Sequence, residues 1–249
     1  MNKSLVKVRE DDVIKIFQGI PFRKSLGQAA AFTKQTGYES GLLVVRDLYS
    51  SSYYVSRMRK GTTDGFKAED IIYDGSFNFD FGEQNVSFDR CYRFLDLHFH
   101  PEITECPEPS CPDLQLAQED TNPQNECGDV DVRPIVGVAH ILEDDMVITL
   151  LYQKRVESNI EIEKAPTLVK IGDDLSTVDI PDSSYIVDCL EKSKLFYADM
   201  LTLEKKHAYR PNDEDCNKLR RFVHTPRRRA TTENSLHQPV YMELYSDEA

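Results

Sequence analysis

The segment from Cys91 to His100 constrains the fold more than any other part of the chain. Leu95, Leu97 and Phe99 share one parity, while Tyr92, Phe94, Asp96, His98 and His100 share the other. Successive strand side chains point to opposite faces, so a strand with large residues on both parities must be covered on both sides. The segment therefore reads as the central strand of a sheet with helices above and below it. Around it, residues 24–37 carry Leu26, Ala29, Ala30 and Phe32 at helical spacing, closed by Gly37. Gly41–Val45 reads as a short buried strand, with further strands expected over 53–58 and 66–73. Two apolar runs, 133–142 and 146–155, flank Glu143-Asp144-Asp145 and read as a hairpin. Short strands are expected within 168–180. A long helix is expected over 182–209, capped by Asp182-Ser183-Ser184, with Ile186, Leu190, Leu195 and Leu201 on one face. After Arg210-Pro211 the chain turns polar and reads as a flexible tail. The fold class expected is mixed α/β, a curved mixed sheet flanked by helices. Its divisions are a domain over 10–155, a strand and helix extension over 156–210, and a tail over 211–249.

Composition narrows the function classes. The 249 residues suffice for one generous domain and a real core. A net charge of −13 argues against nucleic acid as the main partner, because phosphate backbones select clustered Lys and Arg. The basic cluster from Lys218 to Arg229 reads first as a solvated end, with contact to nucleic acid or an acidic partner as the alternative. No apolar run approaches the roughly 20 residues a membrane span needs. The first ten residues have no secretory pattern. Cytoplasmic localisation and mostly reduced cysteines are therefore expected. Cys106, Cys111 and Cys127 crowd one Pro-rich acidic stretch. Free thiols, a disulfide and a second structural metal site are all open readings there.

The chemistry concentrates at the end of the central strand. In His98-Phe99-His100-Pro101 the two imidazoles are two residues apart, so they face the same side. Pro109-Ser110-Cys111-Pro112-Asp113 follows after a short loop, and a helix is expected from Ser110 to about Gln118. Ser110 suits the N-cap, which puts Asp113 in the first helical turn. Taken singly, Ser-x-x-Asp is only a capping motif and His-x-His is often structural. Taken together, a helix start folded back on the strand end brings His98, His100 and Asp113 to one point. Three protein ligands with the fourth position left to water is the pattern of catalytic Zn2+.

At these residues the chain resembles the JAB/MPN domain with its JAMM zinc motif. Active members carry His-x-His-Pro, a short loop and Ser-x-x-Asp, preceded by a glutamate just after the first helix. Glu39-Ser40-Gly41-Leu42-Leu43 stands in that place here. The resemblance covers roughly residues 10–155 and implies a JAB/MPN-like, cytidine-deaminase-like fold. It also implies a hydrolase in which His98, His100 and Asp113 hold zinc, Glu39 is the general acid/base, and Ser110 donates to the oxyanion. Zinc makes hydroxide available near neutral pH and polarises a carbonyl, and a nearby carboxylate can carry the proton to the leaving amine. Two departures stand out. Phe99 occupies a position usually held by Ser or Thr, and the nine residues between His100 and Ser110 make a longer loop than is usual. Phe99 points away from the histidines and is expected to pack in the core. The longer loop is expected to alter the rim of the substrate groove.

Family members resembling this chain remove ubiquitin or ubiquitin-like modifiers from lysine, or trim related C-terminal tails. The expected activity is therefore zinc metalloprotease action, deubiquitinase-like, on conjugates of ubiquitin or a ubiquitin-like protein. The alternatives are a zinc hydrolase of small peptides or sulfur-carrier precursors, and a non-catalytic scaffold of the MPN type. The apolar face of the helix over 182–209 is a further expected contact, covered by its own domain or by a protein partner.

Overall fold

The computed structural model describes residues 5–62, 91–101, 107–118, 130–131, 133–142, 145–155, 170–174, 182–222 and 227–228. Its elements are helices α1 (Glu10–Gln18), α2 (Ile20–Thr36), α3 (Cys111–Gln118), α4 (Ser183–Lys192) and α5 (Asp213–Leu219). The strands are β1 (Ser40–Asp47), β2 (Tyr53–Val55), β3 (Arg59–Lys60), β4 (Cys91–Phe99) and β5 (Val130–Asp131). They continue with β6 (Ile135–Ile141), β7 (Met146–Lys154), β8 (Phe196–Glu204) and β9 (Arg227–Arg228).

One mixed sheet runs β2-β1-β4-β6-β7-β8, with β3 also paired to β1, while β5 and β9 form a small pair of their own. Only β4 and β6 run parallel; the other neighbours are antiparallel. All of β4 is buried, as a strand with large side chains on both parities requires. Helices cover both faces. On one, Phe17, Phe22, Leu26 and Ala29 of α1 and α2 meet Leu42, Val44, Leu95, Leu97 and Phe99, with Leu219 and Phe222 closing the same cluster. On the other, Leu114 and Ala117 of α3 and Ile186 and Leu190 of α4 meet Val136, Val138, Leu150 and Tyr152.

Local signals explain the boundaries. Pro21 sits in the first turn of α2, where its missing N–H costs nothing. Gly37 ends that helix at φ 69°, and its N–H donates to Thr33 O. The hairpin β6–β7 turns through Asp145 at φ 57°.

Three expectations are corrected. Residues 182–209 are not one helix: α4 ends at Lys192, and the chain returns as β8, paired with β7 along its whole length. The reversal passes through Lys194 at φ 59°, a left-handed residue with no glycine to announce it. Of the apolar face expected on that helix, Ile186 and Leu190 of α4 and Leu201 of β8 are buried in the chain's own core. The tail expected from residue 211 instead begins with α5, capped reciprocally by Asn212 and Asp215, and buries Cys216, Leu219 and Phe222. Within 168–180, the described residues 170–174 are helical rather than strand. The strand expected over 66–73 lies outside the described residues, as do Cys106 and Cys127, and the Cys111 side chain is likewise not described.

β8 is the last strand of the sheet, and three of its outward N–H groups are occupied. Ala198 N donates to Glu191 Oε1 at 3.0 Å, Met200 N to Asp199 Oδ1 at 3.1 Å and Thr202 N to Asp215 Oδ1 at 3.5 Å.

A buried polar network ties the N-terminal segment to the sheet. The Arg46 side chain is wholly buried and donates to Val6 O at 3.0 Å and Lys7 O at 3.2 Å, with Asp12 Oδ2 at 3.9 Å. Burial pushes the Asp12 carboxyl up. The Arg9 N–H, the Tyr53 hydroxyl and the charges of Arg9 and Arg46 outweigh this and hold it below its ordinary value. A depressed carboxylate stabilises the fold above its unfolded pKa and loses that contribution as pH falls through the folded value. Asp12→Asn should therefore cost about 2 kcal/mol at neutral pH. The gap to wild type in urea denaturation should narrow below about pH 4; a gap independent of pH would show that the charge of Asp12 is not what matters.

Candidate metal centre

His98 is the next-to-last residue of β4, and its parity directs it to the face opposite Phe99, where His100 follows one residue beyond the strand. Parallel pairing with β6 holds this end in place: His98 lies beside Val138, and His100 N donates to Ala139 O at 3.1 Å. Asp113 comes from the first turn of α3, which packs Leu114 and Ala117 onto β6 and β7. Ser110 and Asp113 cap that turn reciprocally. Ser110 N donates to Asp113 Oδ2 at 2.7 Å, and Asp113 N donates to Ser110 Oγ at 3.3 Å. The Ser110 hydroxyl also donates to Asp113 Oδ2 at 2.6 Å, and Oδ1 is the oxygen turned toward His98.

The three side chains converge. His98 Nε2 and His100 Nε2 stand 3.0 Å apart, His98 Nε2 is 3.3 Å from Asp113 Oδ1, and His100 Nε2 is 3.6 Å from Asp113 Oδ2. Four-coordinate zinc with bonds of about 2.0–2.1 Å sets its ligand atoms roughly 3.3 Å apart, and these edges bracket that value. His98, His100 and Asp113 thus form a group that could hold a metal ion. The donor set is two neutral-capable imidazoles and one carboxylate, which suits zinc and other first-row divalent ions. The His100 and Asp113 side chains keep 18% and 14% of their surface exposed, so the group opens to solvent on one side.

Electrostatics bind the group together. Burial disfavours charge on His98, but the hydrogen bond and charge of Asp113, then the charges of Asp96 and Glu39, outweigh it and raise its pKa. Burial likewise opposes ionisation of Asp113, yet His100, His98 and Ser110 hold its carboxyl well below the usual range.

Glu39 immediately precedes β1, whose first residue Ser40 pairs with Phe99. Ser40 Oγ donates to Ala29 O on the α2 side, so alternation directs Glu39 to the face of His98 and His100. Its backbone is fixed by Glu39 N donating to Thr62 O and Gly61 N donating to Glu39 O, both at 2.8 Å. All five residues singled out in the sequence therefore reach one end of one sheet face.

Three neighbours were not foreseen. Asp96, 2% exposed, lies on the histidine parity and pairs with the buried Arg93 at 3.4 Å. His140 of β6, also 2% exposed, sets its ring edge-on to His100 with centroids 5.6 Å apart. Tyr152 is fully buried near Asp113 and Asp96, and burial followed by those two charges raises its hydroxyl pKa. Asp96 shares the parity of the motif and was legible to that extent. His140 and Tyr152 come from strands whose register alone brings them near.

Among the described residues no helix is long and apolar enough to cross a membrane. No family model matches the chain, and neither a curated protein nor a solved structure gives a significant match.

Proposed function

We propose that this chain is a zinc-dependent metallo-isopeptidase of the JAB/MPN type, hydrolysing peptide or isopeptide bonds at the C-terminus of ubiquitin or a ubiquitin-like modifier. The observation that carries the reading is the convergence of His98, His100 and Asp113, with Glu39 directed to the same face. His98 Nε2, His100 Nε2 and an oxygen of Asp113 would hold the ion. Zinc bound there supplies a Lewis acid and a water of near-neutral pKa. Glu39 accepts a proton on the open side of the site and returns it to the leaving amine. Ser110 holds Asp113 in place through two hydrogen bonds, and its hydroxyl, once released, can donate to a developing oxyanion. Among the described residues Cys91, Cys189 and Cys216 are free thiols, which fits a cytoplasmic protein.

The test is metal content together with cleavage of a ubiquitin-like fusion beside a panel of short peptides. About one zinc per chain and cleavage of the fusion alone support the reading. Cleavage of the short peptides alone moves the substrate to small peptides, and absence of zinc removes the enzyme reading in favour of a scaffold. Zinc should also stabilise the fold by about 2.7 kcal/mol at a free concentration of 100 times Kd. For a chain of this size that is roughly a 5–10 °C rise in melting temperature, reversed by chelation.

A further inference from the structure

At the start of α2, the end of β8 and the turn after it lies a half-open cavity of about 620 Å³ whose charge is unlike that of the chain. The protein carries a net charge of −13, yet Arg23, Lys206, His207 and Arg210 line this cavity against one carboxylate, Glu204. Glu204 is already shared by Lys206 at 2.7 Å and His207 at 3.3 Å. Arg23 is held differently: Nε donates to Gln18 O and Nη1 to Ala208 O, both at 3.0 Å. Carbonyl partners fix a guanidinium in space without neutralising it. Among the described residues neither Arg23 nor Arg210 forms an ion pair.

The wall is built under strain. Ala208 and Tyr209 are consecutive left-handed residues, at φ 53° and 57°, in a position where glycine would be the cheap choice. The turn is kept by Tyr209, whose ring lies against Gly27 so closely that a Cβ there would stand 3.0 Å from it. This turn is what presents Ala208 O to Arg23.

We propose that this cavity binds a phosphate-bearing ligand. Guanidinium forks match phosphate oxygens in pairs, and a fork immobilised beforehand loses less entropy on binding. The size of the cavity exceeds a lone phosphate and suits a phosphorylated small molecule. Register places it on the rim that carries the metal centre: His140 pairs with Ile148 and Ile148 with Thr202, while His100 stands beside His140. Three strand spacings, roughly 14 Å, separate Thr202 from His100 across the sheet. The proposal stands whether or not the metal centre is catalytic.

Calorimetric titration of the full chain with pyrophosphate at low ionic strength tests it, with a tetraglutamate peptide as the carboxylate control. Wild type and His98→Ala/His100→Ala should bind pyrophosphate equally. Arg23→Gln/Arg210→Gln should bind at least tenfold more weakly while keeping the wild-type circular dichroism spectrum. Arg210 is exposed, so Arg210→Gln alone cannot unfold the chain and should weaken binding at least threefold. Tetraglutamate should bind at least tenfold more weakly than pyrophosphate. Absence of saturable binding by wild type overturns the proposal. So does binding that survives both arginine substitutions but not the histidine pair, since the anion would then sit on the metal. Tetraglutamate binding as tight as pyrophosphate overturns the phosphate assignment.

Discussion

Glu39→Gln should slow cleavage of a ubiquitin-like fusion by about 10²–10⁴-fold, the range that a positioned general acid/base contributes, while zinc content stays at that of wild type. Glutamine keeps the size of the side chain and its place on the face of His98 and His100, but it cannot accept a proton. Glu39 is not one of the three converging residues, so on the proposed reading its loss removes proton transfer and leaves the metal-holding group intact. The complementary variant, His98→Ala/His100→Ala, should lose zinc and activity together. Metal content by plasma emission and single-turnover rates on the same samples separate the two roles. If Glu39→Gln also loses zinc, the carboxylate is a ligand; if it cleaves at the wild-type rate, the acid/base assignment falls. The reduced variant charge must be controlled for, since Glu39 also raises the pKa of His98.

Phe99→Ser should cost about 3–5 kcal/mol of stability, as truncation of a buried aromatic does. Phe99 is 0% exposed and lies in the cluster of Phe22, Leu26, Leu42 and Leu97 under α2. The position between the two histidines is held by a small hydroxyl residue in the family this chain resembles, so the substitution restores the commoner residue and yet should be damaging here. In this size range the loss corresponds to a fall of roughly 6–20 °C in melting temperature. Zinc should still bind to the folded fraction, because Phe99 faces away from the histidines. A loss below about 1 kcal/mol would mean that the α2 face is not closed over Phe99. Loss of zinc from folded protein would mean that the parity of β4 differs from that described.

How much of this was legible depended on whether a signal is local. His98, His100, Ser110 and Asp113 lie within sixteen residues, and strand parity with a capping box fixes their directions. Glu39 is distant, but it enters through order alone, after α2 and at the head of β1. Phe196–Glu204 was misread because Ile186 and Leu190 set a helical spacing that Leu195 and Leu201 happen to continue. The strand signal there is the pairing Phe196/Ala198 against Leu201/Leu203, and the intervening Lys194 turn carries no glycine. In the same way, Cys216, Leu219 and Phe222 have the spacing of a buried helix face, masked by the acidic and basic residues between them. The phosphate cavity was beyond reading, since it joins Arg23 to residues nearly two hundred positions later through a turn that only the folded chain makes.

The carboxylates on the outer edge of β8 settle a question of growth. A strand at the end of a sheet is a template for another strand, and the donors that a newcomer would need at Ala198, Met200 and Thr202 are already committed to Glu191, Asp199 and Asp215. Strand addition along this edge is thereby opposed, because a second copy of the chain pairing there has first to strip three acids from the backbone.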